Sequence, residues 1–363
     1  LKMIPSYIGR PIGSEQGEYM ALDLGGTNLR VLTVRLDGRG GASVTAARRF
    51  TVPQSLMHAT GHELFDFLAR CVSSFLDDHS SKNTRSRHLA FTFSFPVVQN
   101  AVDSGILLRW TKGFAVSGVE GKDVVAMLAD ALSRQCLKNF RVAALANDTV
   151  GTLMAKCYAD PDCDMGVILG TGTNACYPEK AGRIANMSNV PENREIIVNL
   201  EWGDFNRIEQ NIFDQALDRQ SLNPGAQRLE KMVSGMYLGE LLRLVLLNLI
   251  EKGVWLNPEQ RCHFQRIHSL SSEHLSRAEA GEDILPSMGI PGTTKEDAAL
   301  LARVSHIIAA RAARIAAAAI AAVVTWMDEN IEKRHSSAID GSLFEKYPQF
   351  RTSMESMLVE LYG

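Results

Sequence analysis

The chain has 363 residues, 45% of them apolar, and its 38 basic residues nearly balance 41 acidic ones. That composition supports a packed core rather than disorder, and the length suggests two domains. The near balance of charge implies no strongly basic face, so nucleic acid is not an expected partner.

Residues 19–36 read as two strands joined by a glycine turn, because Leu32, Val34 and Leu36 alternate with Thr33 and Arg35. The segment DGRGG at residues 37–41 is a hairpin connection. Residues 62–76 have helical spacing, with Leu64, Phe65, Leu68 and Val72 on one side. His58 and His62 are spaced to share a helical face, but no third ligand accompanies them, so a solvated face is the better reading than a metal site. Residues 80–88 form a polar loop, and residues 89–95 a strand ended by Pro96. Residues 124–137 are helical, and residues 141–146 are a short strand leading to Asn147 and Asp148. A domain boundary is placed there, dividing a small α/β domain, 1–146, from a large one, 147–363.

The pattern then restarts. Residues 149–158 are helical, residues 165–169 are an apolar strand, and a glycine turn leads to a second strand through Tyr177. Residues 226–252 and 295–334 are expected as long helices. The longest apolar run, residues 315–327, is too short to span a bilayer and follows Arg311 and Arg314, so a buried helix is expected and no transmembrane segment. A short run at 337–339 precedes the turn Asp340-Gly341-Ser342. Six scattered cysteines contain no C-x-x-C pair, which speaks against a zinc or redox motif and for a reduced, intracellular compartment, the cytoplasm.

The stretches LGGTN at 24–28 and LGTGTN at 169–174 repeat one plan: strand, glycine turn, Thr, Asn, strand. Glycine lets consecutive backbone N–H groups approach a phosphate, and Thr adds a hydroxyl donor. The single-loop pattern G-x-x-x-x-G-K-[ST] is absent, as is a dinucleotide G-x-G-x-x-G in its proper place, so any cradle is of a two-lobed kind. Asp23, beside the first turn, either orients a divalent cation or caps the turn, and the residues alone leave both open. Polar groups also gather at strand ends: Thr111 and Lys112, Asn147 and Asp148, Asn174, Glu201, and Glu230 early in a helix. Amides and carboxylates suit sugar hydroxyls, which both donate and accept, although each residue alone also reads as a turn or cap. Asn223 reads as a cap.

Taken together, LDLGGTNLR (22–30), FTFSFP (91–96), WTKGF (110–114), NDTVGT (147–152), GTGTNACY (170–177), EWG (201–203) and SLNPG (221–225) running into Glu230-Lys231 resemble the hexokinase family of sugar kinases, within the actin-like ATPase superfamily. The resemblance runs from about Met3 to the end of the chain. It implies an α/β, two-lobed actin-like ATPase (ribonuclease H-like) fold, with small and large domains around a cleft. It also implies ATP-dependent phosphorylation of a hexose, glucose first, to hexose 6-phosphate. By motif, sugar contacts would fall on Ser94, Thr111, Lys112, Asn147, Asp148, Asn174, Glu201 and Glu230. Nucleotide contacts would fall on Asp23, Gly25, Gly26, Thr27, Asn28 and Arg30, on Thr171 and Gly172, and on Gly341 and Ser342. Asp148 would be the general base, Lys112 would hold a sugar oxygen and add positive charge, and Asp23 would organise Mg2+ through water.

The family's N-terminal helix and its last glycine-rich strand and helix are not visible in these 363 residues, and Met236 stands where some relatives place a lysine. Weaker nucleotide affinity and stability are therefore expected, rather than a different reaction. A catalytically weak hexose sensor on the same scaffold is the alternative, and an actin- or chaperone-like ATPase a third. The presence of Asp148, Lys112 and Glu230 disfavours the sensor, and the sugar segments disfavour the ATPase.

Overall fold

A computed structural model of the chain describes all residues except 26–27, 80–86, 112, 186 and 188–189. The expected contacts Gly26, Thr27 and Lys112 lie outside the described residues.

The first strand, β1 (Ile4–Pro5), is short. β2 (Gln16–Leu24), β3 (Asn28–Asp37) and β4 (Ala42–Thr51) then form an antiparallel meander. Helix α1 (Gly61–Asp78) starts at a capping box between Thr60 and Glu63 and buries Leu64, Phe65, Leu68, Val72 and Phe75 at helical spacing. His58 ends a separate short turn before this helix, so it shares no helical face with His62. Strand β5 (Arg87–Phe93) begins inside the expected loop and stops before Ser94, where Pro96 would interrupt a ladder. A small hairpin of β6 (Val97–Ala101) and β7 (Ser104–Leu107) follows. Next come α2 (Val124–Arg134), capped by Asp123, and β8 (Phe140–Ala146). The first sheet has the order β4-β3-β2-β5-β8, and one face packs on α1 and α2.

From β8 the chain enters α3 (Asp148–Cys157), capped by Asn147. It continues through β9 (Cys163–Leu169), β10 (Thr173–Lys180) and β11 (Glu195–Asn199). Five helices follow: α4 (Ile212–Gln220), α5 (Arg228–Val233), α6 (Gly235–Glu251), α7 (Ser272–Glu279) and α8 (Lys295–Met327). The chain ends with β12 (Ser336–Asp340), α9 (Ser342–Lys346) and α10 (Pro348–Tyr362). The second sheet has the order β1-β11-β10-β9-β12. Each sheet is a three-strand antiparallel meander with a later strand parallel to its first, β5 beside β2 and β12 beside β9. The repeat at the two glycine turns thus extends to strand topology. The lead strand β1 pairs with Asn199 and Val198, so the start of the chain belongs to the second sheet.

Two expected helices are shorter than expected. The segment 226–252 is broken at Ser234, whose backbone is extended (ψ 154°). The break lets Gly235 N donate to Gly170 O at 2.8 Å and Met236 N to Thr171 O at 3.2 Å, tying α6 to the second glycine turn. Helix α8 stops at Met327, followed by an extended Asp328. At 33 residues, it is long and apolar enough by length and composition to cross a membrane, unlike the shorter apolar run read from sequence. Half of its most apolar stretch is buried, and it packs on α10, α7 and α6. Arg311 pairs with Asp214 (2.6 Å) and Arg314 with Glu360 (2.8 Å).

Candidate active site

Period-two alternation sets the first group. In β2 the side chains of Met20, Leu22 and Leu24 go to the core, so Asp23 faces the other side. Thr92 of β5 is its register partner on that face, and the missing Cβ of Gly151 in α3 would stand 3.8 Å from Thr92 Oγ1. The first turns of α3 therefore cover the face that carries Asp23. A Cβ on Gly25 would be 3.9 Å from both Asp23 Oδ1 and Ser94 Oγ, so these two side chains flank the turn. Gly25 N donates to Asn28 O, closing the hairpin. Ser94 Oγ is buried without a hydrogen-bond partner among the described residues, as expected of a group that meets a ligand. Arg30 lies opposite Asp23 in the ladder and is exposed. Thr111 is half-buried beside a ring cluster of Phe93, Phe95, Trp110 and Phe114, and its carbonyl accepts from Phe114 N.

A second group forms where β8 becomes α3. Asn147 caps the helix, its Oδ1 accepting from Thr149 N (3.0 Å) and Thr149 Oγ1 (2.8 Å). Asp148 is the first helical residue, half-buried, and its Oδ1 accepts from Thr149 N at 2.9 Å. Asn174 reaches this corner from β10: its Nδ2 donates to Asn147 Oδ1 (3.4 Å), Asn199 Oδ1 (2.8 Å) and Glu201 Oε1 (3.1 Å). Glu201 stands in left-handed backbone, φ 52°, just past β11.

Glu230, from α5, closes the array. Its Oε2 accepts from Thr173 N at 3.2 Å, and Gln227 Nε2 lies 3.5 Å from its Oε1. A Cβ on Gly172 would be 2.7 Å from Glu230 Oε2, so a larger residue there would displace the Glu230 carboxylate. Trp202 Nε1 donates to Thr173 Oγ1 (3.0 Å) and fixes the same corner. The turn at Gly341 rests on the second glycine turn: with φ 123°, its Cβ would be 2.5 Å from Leu169 O. Thr171 and Ser342 are therefore brought to one edge, both exposed.

The structure thus gathers Asp23, Gly25 and Ser94 in one cluster, Asn147, Asp148, Asn174 and Glu201 in a second, and Thr171, Gly172, Glu230, Gly341 and Ser342 around the second turn. Asn199 and Gln227 join these groups and were missed in the sequence. Asn199 is a polar residue directly after the apolar run Ile196-Ile197-Val198, which could have marked it. Among the described residues no cluster of three or more His, Cys, Asp or Glu could chelate a metal. A lone carboxylate such as Asp23 fits Mg2+ held chiefly by nucleotide phosphates.

Family models described as Hexokinase match residues 1–158 and 164–363. Hexokinase-1 of Oryza sativa subsp. japonica is 43% identical over 391 residues, covering 100% of this chain and 77% of that protein. Hexokinase-2 of Rattus norvegicus is 39% identical over 378 residues, spanning 99% of this chain but 41% of the longer rat protein. Among solved structures, the hexokinase from Schistosoma mansoni complexed with glucose superposes with a TM-score of 0.88 at 36% identity, covering 100% of this chain and 84% of that one.

Proposed function

This chain belongs to the hexokinase family, with its two-lobed actin-like ATPase fold, and we propose that it transfers the γ-phosphoryl group of ATP to the primary hydroxyl of a hexose, glucose foremost, giving hexose 6-phosphate. The observation that carries the reading is the convergence of Asn147, Asn174 and Glu201 through bonds centred on Asn174, with Asp148 next to Asn147 at the start of α3. Amides and carboxylates on one wall match a ring of hydroxyls. The weak-sensor alternative is not favoured, since Asp148 stands in this array.

Mg-ATP, when bound, supplies the transferable phosphoryl group. Asp148 accepts the proton of the attacking hydroxyl, its carboxylate held by the N–H of Thr149 in the first turn of its own helix. Asn174, Glu201 and Glu230 orient the sugar, with Ser94 contributing from just past β5 and Thr111 from the loop after β7. By the family motif alone, Lys112 would add positive charge near the transferred group. By motif, Asp23 would organise the metal through water, residues 25–30 with Thr171 and Gly172 would meet the phosphates, and Gly341 with Ser342 would meet the nucleoside. Positioning and charge do most of the work in phosphoryl transfer, and this division gives each wall one part of it. The six cysteines are all free, in keeping with an intracellular, cytoplasmic setting.

The test is a coupled assay with ATP, Mg2+ and glucose on the parent and on Asp148→Ala. The variant should lose about 100-fold or more in kcat while still binding glucose by calorimetry. A variant turning over like the parent would remove Asp148 as base. A parent that binds glucose without consuming ATP would return the sensor reading.

A further inference from the structure

We infer that Asn199, outside the sugar-contact set, is a positioning residue whose carboxamide aims Asn174 and Glu201 at the hexose. The inference rests on the sugar-kinase reading of this site.

The direction of every hydrogen bond follows from one fixed point. Ala175 N donates to Asn174 Oδ1 at 2.8 Å, so the amide oxygen of Asn174 is assigned and its NH2 must point the other way. That NH2 meets Asn199 Oδ1 at 2.8 Å. The oxygen of Asn199 therefore faces Asn174, which turns its own NH2 to Glu201 Oε1 at 2.9 Å. Position 199 thus needs an acceptor at one end and a donor at the other. A carboxylate supplies only acceptors, and an apolar side chain supplies neither.

The scaffold beneath the amide is a strand paired on both sides. Asn199 is the last residue of β11, in register with Ile4 of β1 on one side and Cys176 of β10 on the other. It is 7% exposed, so its polar atoms are poorly replaced by water. Glu201 sits two residues beyond the strand in left-handed backbone, an unfavourable conformation for a side chain of this kind. Its Oε1 is held by two amide NH2 groups, those of Asn174 and Asn199. The chain of bonds continues from Asn174 to Asn147, the cap of the helix that begins with Asp148. Asn199 thus ties Glu201, which lies beyond the sheet, to Asn174 of the neighbouring strand.

The experiment compares the parent with Asn199→Asp and Asn199→Ala. It measures hexose KM and calorimetric Kd, KM for ATP, and melting temperature. Asn199→Asp is nearly isosteric but sets a second carboxylate against Glu201. At about pH 8 its hexose KM and Kd should rise about tenfold or more, with KM for ATP within about twofold of the parent. As the pH falls to about 5.5 the added carboxyl takes up a proton and becomes a donor to Glu201, so affinity relative to the parent should recover. Asn199→Ala should be weakened to a similar degree at every pH. Hexose affinities equal to the parent's in both folded variants, or losses in hexose and ATP that move together with no recovery at low pH, would overturn the inference and leave Asn199 a structural residue. A parent that phosphorylates no hexose would instead defeat the reading on which it rests.

Discussion

A methyl group at Gly172 would stand 2.7 Å from Glu230 Oε2 and so compete with the carboxylate for its place. Gly172→Ala should push Glu230 off Thr173 N and raise hexose KM about tenfold or more, read by steady-state kinetics. An unchanged KM would mean that Glu230 does not hold the sugar. Such single positions were partly legible in the sequence. A carboxylate or amide just past an apolar run stands out, as Asp148, Glu201 and Asn174 do. Convergence was not legible, because it depends on register: only the pairing of β10 with β11 places Asn199 beside Cys176 and within reach of Asn174. Gln227 was hidden for another reason. Three residues ahead of Glu230 it reads as an ordinary helix start, and nothing in its identity announces a left-handed backbone with φ 55°.

Among elements, the hairpins and the amphipathic helices follow closely from periodicity, whereas the break at Ser234 does not. Ser-Gly is tolerated within a helix, and the gain from bonding Gly235 and Met236 to the second glycine turn is tertiary. The helix before that break, α5, is fixed from below. Lys231, 2% exposed, donates to Asp218 Oδ1 at 2.6 Å and to Asn223 O at 2.8 Å, while Gly225 N donates to the same carboxylate. Burial pushes the Asp218 carboxyl upward, but the Lys231 ammonium and the Gly225 N–H outweigh it and hold the group below its ordinary value. A depressed carboxyl contributes stability above its unfolded value, about 3.9, and that contribution is lost as the pH falls through the folded value. Asp218→Asn leaves a buried ammonium without its counter-charge and should cost about 3 to 5 kcal/mol at neutral pH, measured by urea unfolding. The gap between parent and variant should narrow below about pH 4, and a gap independent of pH would show that charge pairing is not its source.

Across the whole molecule, the proposed ligands come from both sheets: Asp23 and Ser94 from the first, Asn174, Glu201 and Glu230 from the second or its helices. A hexose touching both should draw the lobes together, so glucose should reduce the radius of gyration in small-angle scattering. No change would place the lobes already at their bound spacing. The route of the chain bears on how they can move. It leaves the second sheet after β1, builds the first sheet, and returns through β8 into α3. The two sheets are therefore tethered twice, and the tethers meet opposite ends of one helix. The return crossing enters α3 at Asn147, whereas at the far end Tyr158 donates its hydroxyl to Glu15 O (2.7 Å) and accepts from Gly38 N (3.0 Å), beside the outgoing crossing. Two tethers at the ends of a rod act like a pair of door pins: they permit a swing about the rod and resist twist or slide. Asp148, at one end of that rod, is carried on the pivot, so its alignment depends little on how far the door stands open.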